Sequence, residues 1–257
     1  MEKGSMVGLV LTLIGVFVSV VLHGINPAFL FMEFGSIIIV VLGCFGATIS
    51  SFPFEATQNI GKVISKCLKG GAPHDPAETI ALIVDMTNRA RAEGLLALEE
   101  AGKSIEDPFM KKGLQLAVDG TDAHALKKAL NAEITAMKER HKVGALWCEK
   151  AGIYAPTFGI IGAVFGLIAT MSKLSQPELV GEGIAGAFVA TFWGVFLANG
   201  IFLPWSNKLK KISADEVEHM NLVVEGIMGI QAGTSPRVVE EILSSHIPPA
   251  RREDKAA

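Results

Sequence analysis

The sequence predicts an all-α membrane protein with four transmembrane helices in two hairpins and a large helical cytoplasmic domain. Half of the 257 residues are apolar, and the mean hydropathy is +0.42. Four uncharged apolar runs are each long enough, or nearly long enough, to cross a hydrocarbon core of about 30 Å. Most charged residues lie between the second and third runs or after the fourth run.

The four runs form two pairs, and a short turn joins the members of each pair. The runs are Met6–Leu22, Phe34–Phe52, Ala151–Met171 and Gly183–Pro204. The turns read "HGINPAFLFME" and "SKLSQPELVGE", so each pair is predicted to be a helical hairpin. No clear A-x-A cleavage site follows the first run, which is therefore predicted to be a retained span.

These runs define four segments of the chain. Residues 1–52 form the first hairpin, with spans at about 6–25 and 34–52, and residues 53–150 form the cytoplasmic helical domain. Residues 151–205 form the second hairpin, with spans at about 151–171 and 183–204, and residues 206–257 form the cytoplasmic C-terminal helices and tail.

The distribution of lysine and arginine predicts the orientation in the membrane. Segment 53–150 holds 14 of these residues, segment 206–257 holds 7, and the two short turns together hold only Lys173. Positive residues are retained on the cytoplasmic side of a membrane. Both termini and the 53–150 segment are therefore predicted to be cytoplasmic.

The cytoplasmic segment carries clear signals for helix starts. Asp75 is predicted to cap a helix that continues through about Ala101, and Asp107 to cap a second helix that ends before Gly120. A third helix is predicted to begin near Thr121 and to run into the third span, because no proline interrupts residues 122–155.

The C-terminal segment carries weaker signals. Ser213 with Glu216 has the spacing of a capping box, and Ser235 precedes a proline that can open another helix. The tail beyond Arg251 is charged and is predicted to be disordered.

The sequence gives no indication of an enzyme or of a cofactor. We find no nucleotide-binding glycine motif, no Ser/His/Asp arrangement and no metal-ligand spacing, and Cys44, Cys67 and Cys148 are widely separated. The net charge of −3 gives no indication of nucleic-acid binding.

Small residues recur every three or four positions in the third and fourth runs. They are Gly159, Gly162, Ala163, Gly166 and Ala169 in the third run, and Gly183, Gly186 or Ala187, Ala190, Gly194 and Ala198 in the fourth. Such stripes let helices approach closely in lipid. Two interpretations stay open: the stripes pack the hairpin internally, or they form a smooth wall around helices of another chain.

The polar groups in these runs are few. Thr157, Thr170 and Thr191 can each bond a carbonyl of their own helix, whereas Asn199 should face protein or water. None of the four runs contains Asp, Glu, Lys, Arg or His. If the chain moves protons or sodium ions, a partner must supply the carboxylate; if it moves nothing, it anchors its cytoplasmic domain.

Four motifs in order on this topology resemble the MotA/PomA family of flagellar motor stator subunits. They are "RARAEGLLALE", "YAPTFGIIGAVFGLI", "GAFVATFWGVFLANGIFLP" and "GIMGIQAGTSPRVVEEILSSHIPPARR". The related ExbB/TolQ energisers of envelope processes share the small-residue spans but are built on three spans. A structural scaffold with no ion role is the third alternative.

The resemblance implies a bacterial motility protein of the inner membrane that is no enzyme and needs no cofactor. It implies a homopentamer around a dimer of MotB, whose transmembrane aspartate carries the proton. Ion flow through this 5:2 complex would turn the ring and push the rotor protein FliG, with a role in chemotaxis and no contact with nucleic acid.

The resemblance also assigns roles to individual residues. Arg91 and Glu99 match the charged pair that engages FliG, and Arg89 either adds to this charged face or pairs with Glu93. Eight residues on one helix correspond to about 800°, so Arg91 and Glu99 are expected on one broad face.

Two prolines and four small or hydroxyl residues complete the assignment. Pro156 and Pro204 match prolines that couple ion binding to movement, unless they merely begin one helix and stop another. Thr157, Ala163, Ala190 and Thr191 are expected along the ion path or against the partner. Sodium-type relatives resemble one another in three threonines where this chain has Ala163, Ala190 and Thr191. Since two of the three hydroxyls are missing, the predicted ion is the proton.

Overall fold

The protein is helical throughout the part of the chain that the structure describes. The structure is a computed structural model that describes residues 3–70 and 75–247. These residues form helices without any strand, which confirms the predicted all-α class. In chain order the helices are α1 (Lys3–Leu22), α2 (Phe29–Met32), α3 (Phe34–Ser50), α4 (Phe54–Gln58), α5 (Ile60–Lys69), α6 (Pro76–Glu93), α7 (Leu98–Lys103), α8 (Pro108–Val118), α9 (Ala123–Met171), α10 (Pro177–Phe196), α11 (Leu203–Gln231) and α12 (Pro236–Ser244).

The described residues divide into two compact units. The first unit takes in residues 3–70 and 141–212, and the second takes in residues 75–140 and 213–247. Helices α9 and α11 each contribute residues to both units. The predicted tail beyond Arg251 lies outside the described residues.

The first unit contains the apolar helices. Three helical stretches in the described chain are long and apolar enough to cross a membrane: Gly4–Leu22, Ala123–Met171 and Val180–Gln231. The predicted second span is the apolar helix α3, whose 17 residues correspond to about 26 Å. This is slightly shorter than the hydrocarbon core, so the count of four spans stays a prediction.

Two expected helix boundaries in the fourth span and its tail are wrong. The chain remains helical through α10, a π turn at Leu197–Phe202 and α11, so Pro204 does not stop a helix. Ser213 does not start one either, because α11 runs through it without a break. Pro204 directly follows the π turn, where the hydrogen bonds that an α-helix makes four residues back are already interrupted, so the chain stays helical without the Pro204 N–H. The predicted continuity of the third span is confirmed, since α9 is a single helix.

In the second unit, the two predicted N-caps are confirmed, and one predicted helix ends earlier than expected. The Asp75 carboxylate accepts a hydrogen bond from the Ala77 N–H at 3.0 Å, and the Asp107 carboxylate accepts one from the Phe109 N–H at 2.8 Å. The helix predicted to reach Ala101 instead ends at Glu93, because Gly94 adopts a left-handed conformation with φ +86°. With ψ 166°, this is a backbone conformation that glycine adopts readily and other residues do not, and the helix cannot continue through it.

Large aliphatic side chains form the core of the second unit. They come from helices α6 to α9, α11 and α12, and they fill one buried cluster. The fully buried members with the largest side chains are Ile83, Met86, Leu98, Met110, Leu114, Leu126, Leu130, Leu222, Ile227 and Leu243. This core holds α7 in place through Leu98, whose side chain is 1% exposed.

Candidate functional site

A close helix contact in the first unit joins α9 to α10 through small residues. A Cβ placed on Gly159 would lie 3.0 Å from the Ala190 carbonyl oxygen, and one placed on Gly194 would lie 2.7 Å from the Ala155 carbonyl oxygen. Gly166 meets Ala187 in the same way, at 3.1 Å from its Cβ. Both backbones therefore touch where the sequence has its small-residue stripes. For these residues the structure shows packing within the hairpin, which is the first of the two interpretations of the stripes.

Ala190 is the most deeply buried of the four residues expected along the ion path or against the partner. Its side chain has no exposed surface in the single chain, and its Cβ would lie 2.9 Å from a Cβ on Gly162. The place of Ala190 along the ion path stays a prediction. Ala163 and Thr191 are half-buried and Thr157 is exposed, so these three retain free surface.

The threonine hydroxyls differ in how firmly the chain holds them. Thr157 donates to the Tyr154 carbonyl at 2.6 Å, and Thr170 donates to the Gly166 carbonyl at 2.8 Å. Thr191 donates to the Ala187 carbonyl at 3.4 Å, which is long for a hydroxyl hydrogen bond. Of the three hydroxyls, that of Thr191 therefore makes the weakest hydrogen bond to its own helix.

The two family prolines occupy different positions in their helices. Pro156 lies inside α9 and cannot donate the backbone hydrogen bond that an α-helix normally makes four residues back. Its Cα lies 3.2 Å from a Cβ placed on Gly194, so it belongs to the α9–α10 contact. Pro204 is exposed and follows the π turn, where the Leu203 N–H donates to the Ala198 carbonyl five residues back. Single π turns inside α-helices are frequent at functional sites.

Asn199 has its structural role in this π turn. Its side-chain amide donates to the Val195 carbonyl at 3.1 Å, while the residue itself is exposed. The amide thus bonds a backbone carbonyl in the last turn of α10, just before the π turn. Sequence reasoning missed this role because an irregular turn leaves no signal in the spacing of apolar residues.

Sequence reasoning also missed a cavity at the other end of these helices. It has a volume of about 490 Å³ and lies between the start of α3, the end of α9 and the start of α10. Its ionisable lining residues are Glu33, Lys173 and Glu182, and the Ser36 hydroxyl donates to the Gly186 carbonyl at 3.0 Å on its wall. The ionisable residues that line the cavity therefore come from the two short turns that join the apolar runs.

The charged residues predicted to contact a rotor lie in the second unit, on two different helices. Arg91 is exposed in the last turn of α6, and Glu99 is exposed in the first turn of α7. Gly94 and a 3-10 turn at Leu95–Ala97 separate them. The expectation that both residues share one face of one helix is therefore wrong.

Arg89 forms its ion pair with Asp85 and not with Glu93. Its guanidinium contacts the Asp85 carboxylate at 2.9 Å, four residues earlier, rather than the Glu93 carboxylate. Both side chains are about half exposed. Such a pair on a helix surface contributes little to stability, about 0.3–0.5 kcal/mol.

Comparison with known proteins decides the family. The chain is 34% identical to motility protein A of Bacillus subtilis, an alignment that covers 96% of this chain and 92% of the relative. It is 33% identical to the chemotaxis protein PomA of Vibrio alginolyticus, with 98% of each chain covered. A model of the MotA/TolQ/ExbB proton channel family matches residues 101–222. The chain belongs to the MotA/TolQ/ExbB family.

Within this family the chain lies on the MotA side. Its fold matches a chain in the structure of the flagellar MotAB stator complex of B. subtilis with a TM-score of 0.91, at 34% identity and with all of both chains covered. The match extends over the first hairpin and the tail as well as the residues of the family model. The MotA interpretation is therefore favoured over the ExbB/TolQ alternative.

One further interaction of this MotA-type chain was missed by sequence reasoning. The Asp107 carboxylate that caps α8 also lies 2.8 Å from Nε2 of His219 on α11. Burial raises the pKa of Asp107, but the hydrogen bonds from His219 and from the Phe109 N–H outweigh burial and hold the pKa below its ordinary value. The two residues are 112 positions apart, so no local pattern could indicate the pair.

No metal centre can be assigned in residues 3–70 and 75–247, where no group of three or more His, Cys, Asp or Glu residues could hold a metal ion.

Proposed function

We propose that this chain is the MotA-type subunit of a flagellar stator unit, which converts an inward flow of protons into torque on the rotor. The observation that carries the proposal is the match over the full chain to a MotAB stator subunit. The chain would be an ion-driven motor subunit of the bacterial inner membrane, without a cofactor.

The proposed topology has four spans in two hairpins, with both termini and the second unit in the cytoplasm. The lysine and arginine distribution supports this orientation. Apolar side chains cover the surface of α1 and α3, as lipid-facing helices require; exposed examples are Leu11, Leu22, Phe34 and Leu42.

The proposed partner is a MotB-like protein that supplies a transmembrane aspartate, in a complex of five copies of this chain and two of the partner. The four apolar runs of this chain contain no ionisable residue, so the chain itself supplies no carboxylate within them. The ionisable residues Glu33, Lys173 and Glu182 line a cavity at the helix ends instead. This arrangement supports a partner that supplies the carboxylate. The weakly held Thr191 hydroxyl is the best placed of the three threonines to bind water or the partner's aspartate. Thr157 and Ala163 keep free surface for the same path.

The proton is the proposed ion because the chain offers few oxygen ligands for sodium. Ala163 has no hydroxyl, and the buried Ala190 also lacks one. We expect swimming of a stator-deficient host that carries this chain to depend on pH and to be unchanged when potassium replaces sodium in the medium. Swimming that stops without sodium would overturn the assignment.

Arg91 and Glu99, with Arg89 as a secondary contact, are proposed to touch the rotor protein FliG. Both Arg91 and Glu99 are exposed on helix ends that a buried core holds in place. We expect Arg91→Glu or Glu99→Lys to abolish swimming in a stator-deficient host, while assembly with the partner persists. Lys128→Glu, an equal charge reversal at an exposed site on α9, is the control and should still swim. Normal swimming of both test variants would remove these residues from the proposed interface.

A further inference from the structure

Charge is divided unequally between the two units of this chain. In the sequence, residues 1–71 and 141–212, which include the first unit, hold ten Lys or Arg against six Asp or Glu, whereas residues 72–140 and 213–257, which include the second unit, hold 13 against 20. The chain therefore has a basic and an acidic part, although its net charge is only −3. The residues proposed for the ion path and for the rotor contact include none of the lysines of the first unit.

The basic charge of the first unit is concentrated in three segments at the proposed cytoplasmic boundary. Residues 53–70, 141–150 and 205–212 contain eight lysines and only two glutamates. One of those glutamates, Glu149, pairs with Lys210. A net positive layer follows directly on the apolar helices.

Helix α5 presents three of these lysines as one surface. Lys62, Lys66 and Lys69 are all exposed, and their spacing of four and three residues places them within an arc of about 60° on the helix. We call these three residues the α5 lysine face.

Packing holds this face in a fixed place. A Cβ on Gly144 of α9 would lie 2.7 Å from Cγ1 of Val63, so α5 lies directly against the α9 backbone. Cys67 is 1% exposed, and its thiol donates to the Trp205 carbonyl at 3.8 Å. Lys66 Nζ lies 3.5 Å from Nε2 of His141. The apolar side of α5 is thus used within the chain, while the three lysines are exposed.

An exposed aromatic side chain marks the depth of this segment. Phe54 opens α4 only four residues after the end of α3, and it is 67% exposed. An exposed phenylalanine between an apolar helix and a helix that carries lysines is typical of a segment that lies in the headgroup layer of a membrane.

We propose that the α5 lysine face, with Phe54, binds the headgroups of anionic phospholipids in the cytoplasmic leaflet. The proposal rests on the topology given under the proposed function. A lysine ammonium is a point charge suited to a phosphate group, and each lysine near an anionic membrane surface contributes about 1 kcal/mol of attraction. The acidic second unit is repelled by the same surface, so the lipid is bound only at the boundary.

The test measures lipid selectivity of the full chain in complex with its partner. The complex is reconstituted in phosphatidylcholine bilayers that contain trace spin-labelled phosphatidylglycerol or spin-labelled phosphatidylcholine. Electron spin resonance then gives the relative association constant of the two lipids with the protein. We expect the wild type to prefer phosphatidylglycerol, and this preference to fall about threefold or more in Lys62→Gln/Lys66→Gln/Lys69→Gln.

The matched control removes the same charge from the second unit. Lys127→Gln/Lys128→Gln/Lys138→Gln changes three exposed lysines of α9 and should keep the wild-type preference. About 1 M salt, which shortens the Debye length to about 3 Å, should lower the wild-type preference to that of the α5 variant.

Two results would overturn the proposal. The first is an unchanged phosphatidylglycerol preference in the α5 variant. The second is a change in the number of chains per complex, measured by light scattering, because the α5 lysine face would then be a contact between copies. The assay reads neither swimming nor ion flow, so its outcome is independent of the rotor and ion tests.

Discussion

The two units of the chain pack in opposite ways. In the first unit, α9 and α10 meet through Gly159, Gly162, Ala190 and Gly194, and backbone atoms touch each other. In the second unit, large aliphatic side chains such as Leu114 and Leu126 fill the space between helices. Lipid is as apolar as leucine, so helices in a membrane gain stability from close approach rather than from removing apolar surface from water. The second unit gains stability from that removal.

The comparison predicts that removing methyl groups harms the second unit most. Leu114→Ala deletes a side chain that is 1% exposed and should destabilise this unit by about 2–5 kcal/mol through lost burial and a cavity. Leu96→Ala deletes the same atoms at a site that is 73% exposed and is the control. Thermal melting of the purified complex, with proteolysis of the second unit as a second readout, checks the difference. Equal melting of both variants would contradict the described core.

Adding a methyl group should harm the first unit most. A Cβ on Gly194 would lie 2.7 Å from the Ala155 carbonyl oxygen, a backbone atom that cannot rotate away. We expect Gly194→Ala to destabilise the helix pair by about 1–3 kcal/mol. Loss of assembly with the partner and a lower melting temperature are the measurements.

Two glycine controls sharpen this expectation. A Cβ on Gly113 in the second unit would lie 2.3 Å from Cδ1 of Ile227, the far end of a flexible side chain, and Gly46 has no atom within 4 Å. Gly113→Ala and Gly46→Ala should therefore lower the stability less than Gly194→Ala does. This order is expected although the distance at Gly113 is shorter than that at Gly194. A larger loss for Gly113→Ala would show that side-chain crowding outweighs backbone contact.

The smallest expected effect concerns the Asp107–His219 pair of the second unit, and it depends on pH. Because the folded-state pKa of Asp107 lies below its ordinary value, its contribution to stability is present above the unfolded-state pKa and is lost as pH falls through the folded-state pKa. Asp107→Asn keeps an oxygen that can cap α8, so it should lose less stability between neutral and acid pH than the wild type.

Asp107→Ala removes the cap as well and should cost about 1 kcal/mol at neutral pH. Asp75→Ala, which removes a cap bonded to the Ala77 N–H, is the matched comparison. Melting temperatures measured from neutral to acid pH check both statements. Identical acid sensitivity of the wild type and Asp107→Asn would contradict the role of the pair.

Local sequence signals predicted much of this fold. The N-caps Asp75 and Asp107 and the continuity of α9 follow from patterns within one turn or one helix. The break at Gly94 was missed, because an isolated glycine in a helical pattern is tolerated as often as it terminates a helix. That one break removed the expected common helix face of Arg91 and Glu99.

The candidate site was predicted less completely, for a physical reason. The small-residue stripes show that α9 and α10 can approach closely, but spacing alone does not say whether the neighbour is the same chain or another. Ala190, for example, was expected along the ion path or against the partner, and Gly162 of its own chain lies against its side chain. The cavity beside Glu33 and the contact between Asp107 and His219 join distant parts of the chain, which periodicity does not report.

The π turn before Pro204 acts as an inserted residue within an otherwise regular helix. One extra residue per turn rotates everything that follows by about 100° relative to an uninterrupted α-helix. Beyond the turn, Ser206 is 1% exposed and donates to the Ala145 carbonyl at 2.9 Å, and Leu209 is also buried. A deletion of one residue between positions 197 and 202 would remove this inserted residue, restore regular backbone pairing and leave both side chains in their contacts. Chain length and angular phase are therefore separable in this helix: a one-residue gap here in an alignment of relatives leaves the same face of α11 buried, whereas a regular α-helix of unchanged length would turn that face by about 100°.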